Sequence, residues 1–352
     1  MHVSILNVGQ GSCTVVVTSS GTVTVVDGGD ESSVPGRTDV NQWMLDRGVE
    51  RIDFLVLSHL HRDHAQGLLH LARRFPVGVA FLPYPRFSAP RPSATWLSGF
   101  LHNAHVDSPH GQLQLVTEYL ALMAELERQG TSIRFPARTT PYGGSSDVED
   151  SSTAASSTTG SSTAESSAAA SSTREGNLAV PGTLWELDGY RLLQVYPLPG
   201  DALLTPHLVK RLGHCDDAEL TRTLDELSEG TNAESAVLAL VSAQPTVPTV
   251  VISGDLSTST VWDDVLTRLD VTGGIWILPH HGAPDGAQPH HVTEMKPRAL
   301  IASVSPVTAQ TYSAHWQRLE AASGVSVFTT YGRGTDTVSE LEFGDLGVSI
   351  GV

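Results

Sequence analysis

Basic residues are scarce in this sequence: 21 lysines and arginines stand against 38 aspartates and glutamates, a formal charge of −17 over 352 residues. That balance excludes a long, sequence-blind grip on nucleic acid, which needs an extended basic surface. It leaves room for a small cleft acting on a phosphodiester, because bound metal ions can invert the local sign. Cysteine is scarcer still. Cys13 and Cys215 cannot build a disulfide framework, and they suit a reducing compartment. No window approaches the roughly 18–20 uninterrupted apolar residues of a membrane span. The first residues show no basic, apolar and small-residue leader pattern. The expectation is a soluble, cytoplasmic chain without a membrane partner.

At roughly 150 residues per domain the length allows one large domain or two modest ones. His2–Val8, Cys13–Thr18 and Thr22–Val26 read as strands separated by Gly9-Gln10-Gly11 and Ser19-Ser20-Gly21, and Asp27-Gly28-Gly29-Asp30 ends the third. A helix is expected within 39–49, a doubly covered strand at Ile52–Leu57 and a helix at Ala65–Arg74. Residues 83–111 read mainly as loop, and Gln114–Gln129 as helix. Between Ser151 and Thr173, 21 of 23 residues are Ser, Thr or Ala, which offers nothing apolar to offset ordering entropy. About 143–177 is therefore expected to be a disordered insertion in a single domain spanning 1–352. Further strands are expected at Arg191–Tyr196, Ala236–Val241, Thr249–Ile252, Gly274–Leu278 and Ala299–Val304. Strands alternating with helices imply a layered α/β domain.

The segment Ser58-His59-Leu60-His61-Arg62-Asp63-His64 carries the chemistry. A buried strand delivers four metal-competent side chains at its end. His59 and His61, two residues apart, project to one side of extended backbone, whereas Asp63 and His64 begin the turn into a helix and face a second point. Imidazole and carboxylate suit zinc, manganese or iron. Two later strands end in similar groups: Val250–Ile252 runs into Gly254-Asp255, and Ile275–Leu278 into His280-His281. Each alone is weak; three polar strand ends behind apolar runs are a far stronger signal.

The His59-x-His61-x-Asp63-His64 pattern resembles the signature of the metallo-β-lactamase superfamily. Val8-Gly9-Gln10-Gly11, Val26-Asp27-Gly28-Gly29, Gly254-Asp255 and His280-His281-Gly282-Ala283 together resemble its ComEC-like branch. The resemblance implies an αββα four-layer sandwich with two divalent metal ions, zinc ahead of manganese, holding a bridging hydroxide. It implies that His59 and His61 hold one metal and Asp63 and His64 the other. Asp255 would bridge, with Asp63 and Asp255 counted as catalytic. His280 would complete the second site, with His281 as its rival. Asp27 would brace the metal loop.

The stretch Asn232-Ala-Glu-Ser235-Ala-Val-Leu resembles a segment of the same branch. Asn232 or Ser235 would orient substrate or water, or else simply cap a strand. Arg62 would contact a substrate anion, or else be solvated. No third histidine for the first metal is evident. Ser12 and Ala283 depart from the branch, which often has aspartate and serine there. His102, His105 and His110, the His214-Cys215-Asp216 group and the His290-His291 pair are expected to lie outside the chemistry. The function implied is a soluble dinuclear phosphodiesterase or nuclease for small-molecule or short nucleic-acid substrates. The alternatives are hydrolysis of a small ester, lactone or phosphorylated metabolite, and a non-catalytic binding module.

Overall fold

Two valine-rich strands, β2 (Thr14–Val17) and β3 (Val23–Val26), pair antiparallel, and β1 (His2–Leu6) joins the other side of β2. Beyond β3 the chain turns to parallel pairing. After helix α1 (Val40–Asp46), β4 (Ile52–Val56) lies beside β3; after α2 (Arg62–Arg74), β5 (Val77–Phe81) lies beside β4. The short helix α3 (Ala94–Ser98) and the long α4 (Pro109–Gln129) precede β6 (Ser132–Arg134). The structure, a computed structural model, describes residues 1–30, 36–98, 108–136, 182–244, 249–268, 271–331, 340–344 and 347–351. The 143–177 tract, His102 and His105 lie outside the described residues.

The second half repeats the plan. Antiparallel β7 (Gly182–Leu187), β8 (Tyr190–Tyr196) and β9 (Val237–Ser242) enclose, between β8 and β9, the helices α5 (Thr205–Arg211) and α6 (Asp217–Ala233). Parallel strands β10 (Val250–Ile252), β11 (Ile275–Ile277), β12 (Ala299–Ala302) and β13 (Val327–Thr329) follow, linked by α7 (Ser259–Arg268), α8 (Pro289–Met295) and α9 (Pro306–Ser323). The hairpin β14 (Glu340–Gly344) and β15 (Gly347–Gly351) returns to the edge of the first sheet beside β1. Eight strands thus form one sheet and seven the other.

Alternation along the central strands explains why both sheets are covered twice. Phe54 and Val56 point between the sheets, where they meet Ile252, Ile277 and Ile301, whereas Leu55 and Leu57 point under α2 and α4. In the second sheet Val251 and Trp276 pack outward against Trp262 and Trp316 from α7 and α9. Each such side chain contributes about 1.5–3 kcal/mol on full burial. The order of layers is helix, sheet, sheet, helix: the αββα sandwich of the metallo-β-lactamase fold.

Several boundaries differ from the sequence reading. α4 begins at Pro109, inside the expected 83–111 loop, because Ser108 caps it by accepting from the Gly111 N–H and proline occupies its first position. α3 also interrupts that loop. α2 starts at Arg62, so Asp63 and His64 lie within its first turn. Among the described residues no helix is long and apolar enough to cross a membrane.

Candidate metal centre

Parallel strands end in loops at one edge of the sandwich, and those ends carry the polar side chains. Asp27 follows β3, His59 and His61 follow β4, Asp255 follows β10, and His281 follows β11. The loops approach closely enough to need missing side chains. A Cβ on Gly67 would lie 2.0 Å from the Gly28 carbonyl oxygen. Gly254, at φ +49°, would press a Cβ to 2.2 Å from Ser235 Oγ.

Asp27 is fully buried and organises the first loop. Its Oδ1 accepts from the Ser58 N–H (2.8 Å), and its Oδ2 accepts from Ser58 Oγ (2.7 Å) and from His64 Nδ1 (2.8 Å). With its proton given to Asp27, Ser58 Oγ accepts from His59 Nδ1 at 3.0 Å. Ser235 Oγ also lies 3.2 Å from His59 Nδ1 and accepts from the Asp255 N–H at 2.9 Å. The same tie recurs at His61, whose Nε2 donates to the Ser228 carbonyl of α6 at 2.9 Å. These outer contacts choose the tautomers. They turn His59 Nε2, His64 Nε2 and His61 Nδ1 inward, each a lone-pair donor when its ring is neutral.

The inward nitrogens meet carboxylates. His64 Nε2 lies 3.1 Å from Asp255 Oδ1 and His59 Nε2 lies 3.7 Å from Asp255 Oδ2. His281 Nε2 lies 3.2 Å from Asp63 Oδ2, 3.4 Å from Asp255 Oδ2 and 3.4 Å from His64 Nε2. Two groups result: Asp63, His64, Asp255 and His281, and His59, His61 and Asp255, with the ligand atoms in each within 4.8 Å of one another. His59 Nε2 and Asp255 Oδ1 are buried without a hydrogen bond. Buried acceptors left this way are costly unless a cation faces them. Nitrogen and oxygen donors in two groups sharing one carboxylate fit a pair of divalent transition-metal ions.

The protonation pattern reports the same concentration of negative charge. Burial would push His64 and His281 down, but Asp255 outweighs it in both. Asp27 and Asp63 add to this at His64, and Asp63 at His281, so His64 stays well above its usual range and His281 rises to about 10. Burial opposes ionisation of Asp255 and Asp63, yet His281 and His64 hold both carboxyls below the usual range. His59 goes the other way: burial and the neighbouring His64 keep it neutral.

His281, not His280, turns into the cluster, which corrects the first-choice ligand. Both residues sit in the left-handed region, at φ 49° and 55°, and this bend swings adjacent side chains apart. His280 Nδ1 meets Asp285 at 2.9 Å instead, while its N–H donates to the Gly254 carbonyl at 3.0 Å. Ser235 is buried behind His59 and Asp255, so it orients protein groups and does not face substrate. Asn232 ends α6 with Oδ1 buried and unpaired. Arg62 lines a cleft of about 290 Å³ together with Gln10, His61, Asp63 and Gln112. Ser12 donates its N–H to the Asp63 carbonyl, and Ala283 is buried. Ser228 was not legible as a partner, since it acts through its backbone oxygen.

His110, the His214-Cys215-Asp216 group and the His290-His291 pair are not among the residues of the two ligand groups. His110 packs on Trp96 with ring centroids 4.1 Å apart. Asp216 caps α6, and Cys215 Sγ donates to the Arg211 carbonyl. His290 and His291 meet Asp263 in a third histidine–carboxylate group. There His291 Nδ1 accepts from the Gln288 N–H at 3.1 Å, so its Nε2 carries the proton and has no lone pair to offer a metal.

Residues 6–100 match the family model described as the metallo-beta-lactamase superfamily. That stretch contains Asp27 and the His59–His64 segment. A search of the curated proteins found no match. Among solved structures the chain is similar to a diphosphatase from the PhnP family, at 12% identity and TM-score 0.41, covering 99% of this chain and 100% of that one. It is similar to CmlA, a diiron beta-hydroxylase from Streptomyces venezuelae, at 14% identity and TM-score 0.42, covering 93% of this chain and 52% of that one. It is also similar to a motif mutant of a metallo-beta-lactamase from Cronobacter sakazakii, at 12% identity and TM-score 0.33, covering 78% of this chain and 75% of that one. The chain spans about half the length of CmlA. At such identities and scores these likenesses say nothing of activity. The match over residues 6–100 covers about a quarter of the chain, and within it lie Asp27, His59, His61, Asp63 and His64.

Proposed function

We propose that the chain is a dinuclear metallohydrolase of phosphodiesters, using zinc or, second, manganese. The observation that carries the reading is the sharing of Asp255 between two groups of ligand atoms at one edge of the sandwich. Two divalent ions in such groups acidify water and offset the charge that develops on a phosphoryl oxygen. The chain's own residues do the rest. Asp27, Ser58 and Ser235 hold the His59 and His64 tautomers that direct lone pairs inward. Asp63 is the half-buried carboxylate at the cleft wall, and its Oδ2 lies 3.2 Å from His281 Nε2 within the four-ligand group. The motifs shared with the ComEC-like branch favour phosphorus over carbonyl chemistry.

A second reading, hydrolysis of a small ester, lactone or phosphorylated metabolite, is favoured by the size of the cleft and by the −17 charge. A non-catalytic module is disfavoured because both ligand groups are complete enough to hold metal. The deciding experiment loads the purified protein with zinc or manganese and compares bis-p-nitrophenyl phosphate, a short oligonucleotide, a lactone, a thioester and a β-lactam. Metal-dependent cleavage of the diester well above that of the β-lactam is expected. Efficient opening of lactone or thioester with every phosphodiester untouched would put the second reading first.

A further inference from the structure

The cleft beside the ligands has donors that the protein itself leaves unused. Arg62 Nε donates to Gln66 Oε1 at 3.1 Å, which steers the guanidinium, and among the described residues its Nη1 and Nη2 have no partner. No carboxylate among those residues comes within ion-pair distance of Arg62. Gln10 is fixed in a complementary way. Its Oε1 accepts from Thr308 Oγ1 at 2.6 Å and faces the Ser305 N–H at 3.5 Å. A backbone N–H cannot accept, so the amide is oriented with oxygen toward α9, and among the described residues its Nε2 has no partner. Asp30, the other charged wall residue apart from Asp63, pairs with Arg37.

We propose that Arg62 and Gln10 form an anion subsite beside the metal centre, and that the substrate carries a second anionic group, phosphate or carboxylate, seated there. The inference rests on the phosphodiesterase reading for where the scissile ester lies. A guanidinium fork with two free nitrogens suits two oxygens of one anion, and the Gln10 amide adds a donor to the same cleft. The cleft has a volume of about 290 Å³. It has room for a short charged substituent.

The test uses three p-nitrophenyl phosphodiesters whose second alcohol is ethanol, ethylene glycol monophosphate or glycolate, with metal-loaded protein. The wild type should favour one charged diester over the ethyl diester by about ten- to a hundredfold in kcat/KM, the range of a hydrogen-bonded charge. The winning arm identifies phosphate or carboxylate. Arg62→Gln should collapse that preference ratio, chiefly through KM, and Gln10→Glu should reverse it. Equal kcat/KM for all three diesters in the wild type would overturn the subsite. Binding of ethylene bisphosphonate to metal-loaded protein, followed by calorimetry, is the second readout. A loss of about tenfold in Arg62→Gln is expected there, and identical binding by variant and wild type also overturns it. If no diester is cleaved but binding still depends on Arg62, the phosphodiesterase reading fails and the subsite stands.

Discussion

Asp27 and His64, 37 residues apart and both fully buried, are joined through Oδ2 and Nδ1 at 2.8 Å. When His64 is neutral, the contact keeps its proton on the nitrogen facing away from Asp255 and so aims a lone pair at the centre. Asp27→Asn would present an amide N–H to one of the donors now satisfied by Oδ2. Metal affinity is expected to fall by about 10–100-fold with the fold retained. Competition against a chromogenic chelator, alongside circular dichroism, measures both; unchanged affinity would remove Asp27 from the support of the site.

His280 and His281 offer a sharper contrast. His281→Ala should empty the four-ligand group and lower turnover by more than about 100-fold, beyond the usual range for outer partners. His280→Ala should keep the metal stoichiometry of the wild type. Elemental analysis of the two purified variants decides between them, and the reverse result would restore His280 as the ligand.

Ser235 Oγ serves His59 Nδ1 and the Asp255 N–H together. Ser235→Ala leaves that N–H buried and unpaired, a cost of about 1–3 kcal/mol. Urea unfolding should show it as a lower midpoint with unchanged slope. Retention of metal should weaken most in the group containing His59.

The metal-free protein should lose stability on the alkaline side. Burial lowers the His281 value, but Asp255 and Asp63 outweigh it and raise it to about 10, against roughly 6.5 for an unfolded histidine. A raised folded value stabilises fully below the unfolded value, and the gain disappears as pH climbs through the folded one. Melting temperatures of chelated protein should therefore decline from neutrality toward about pH 10, while metal-loaded protein, its imidazoles already deprotonated, should show a flatter profile. A flat profile for the chelated protein would contradict the assignment of charge to His281.

The His59–His64 segment and the strand ends at Asp255 and His281 were legible because polar ligand types interrupt apolar strands. The choice between His280 and His281 was not, because it depends on two left-handed backbone conformations that no side chain announces. The start of α4 was readable from Ser108-Pro109. α6, with Leu220, Leu224 and Leu227 on one face, was equally readable yet not singled out. α9 is a different case: over 18 residues it buries only His315, Trp316 and Leu319, so its periodicity is faint. Supports that act through backbone oxygen, such as Ser228, leave no trace in residue type.

Each ligand group draws on both sheets. His59, His61, Asp63 and His64 lie between the end of β4 and the first turn of α2, whereas Asp255 and His281 follow β10 and β11. Neither half of the sandwich owns a whole site, so a bound ion acts as a clasp across the seam between them. At free metal about a thousandfold above Kd, each clasp would add about 4 kcal/mol to the folded state. Cellular metal supply would then set how long the molecule survives as well as how fast it works, and starvation would first open the edge where the two halves meet.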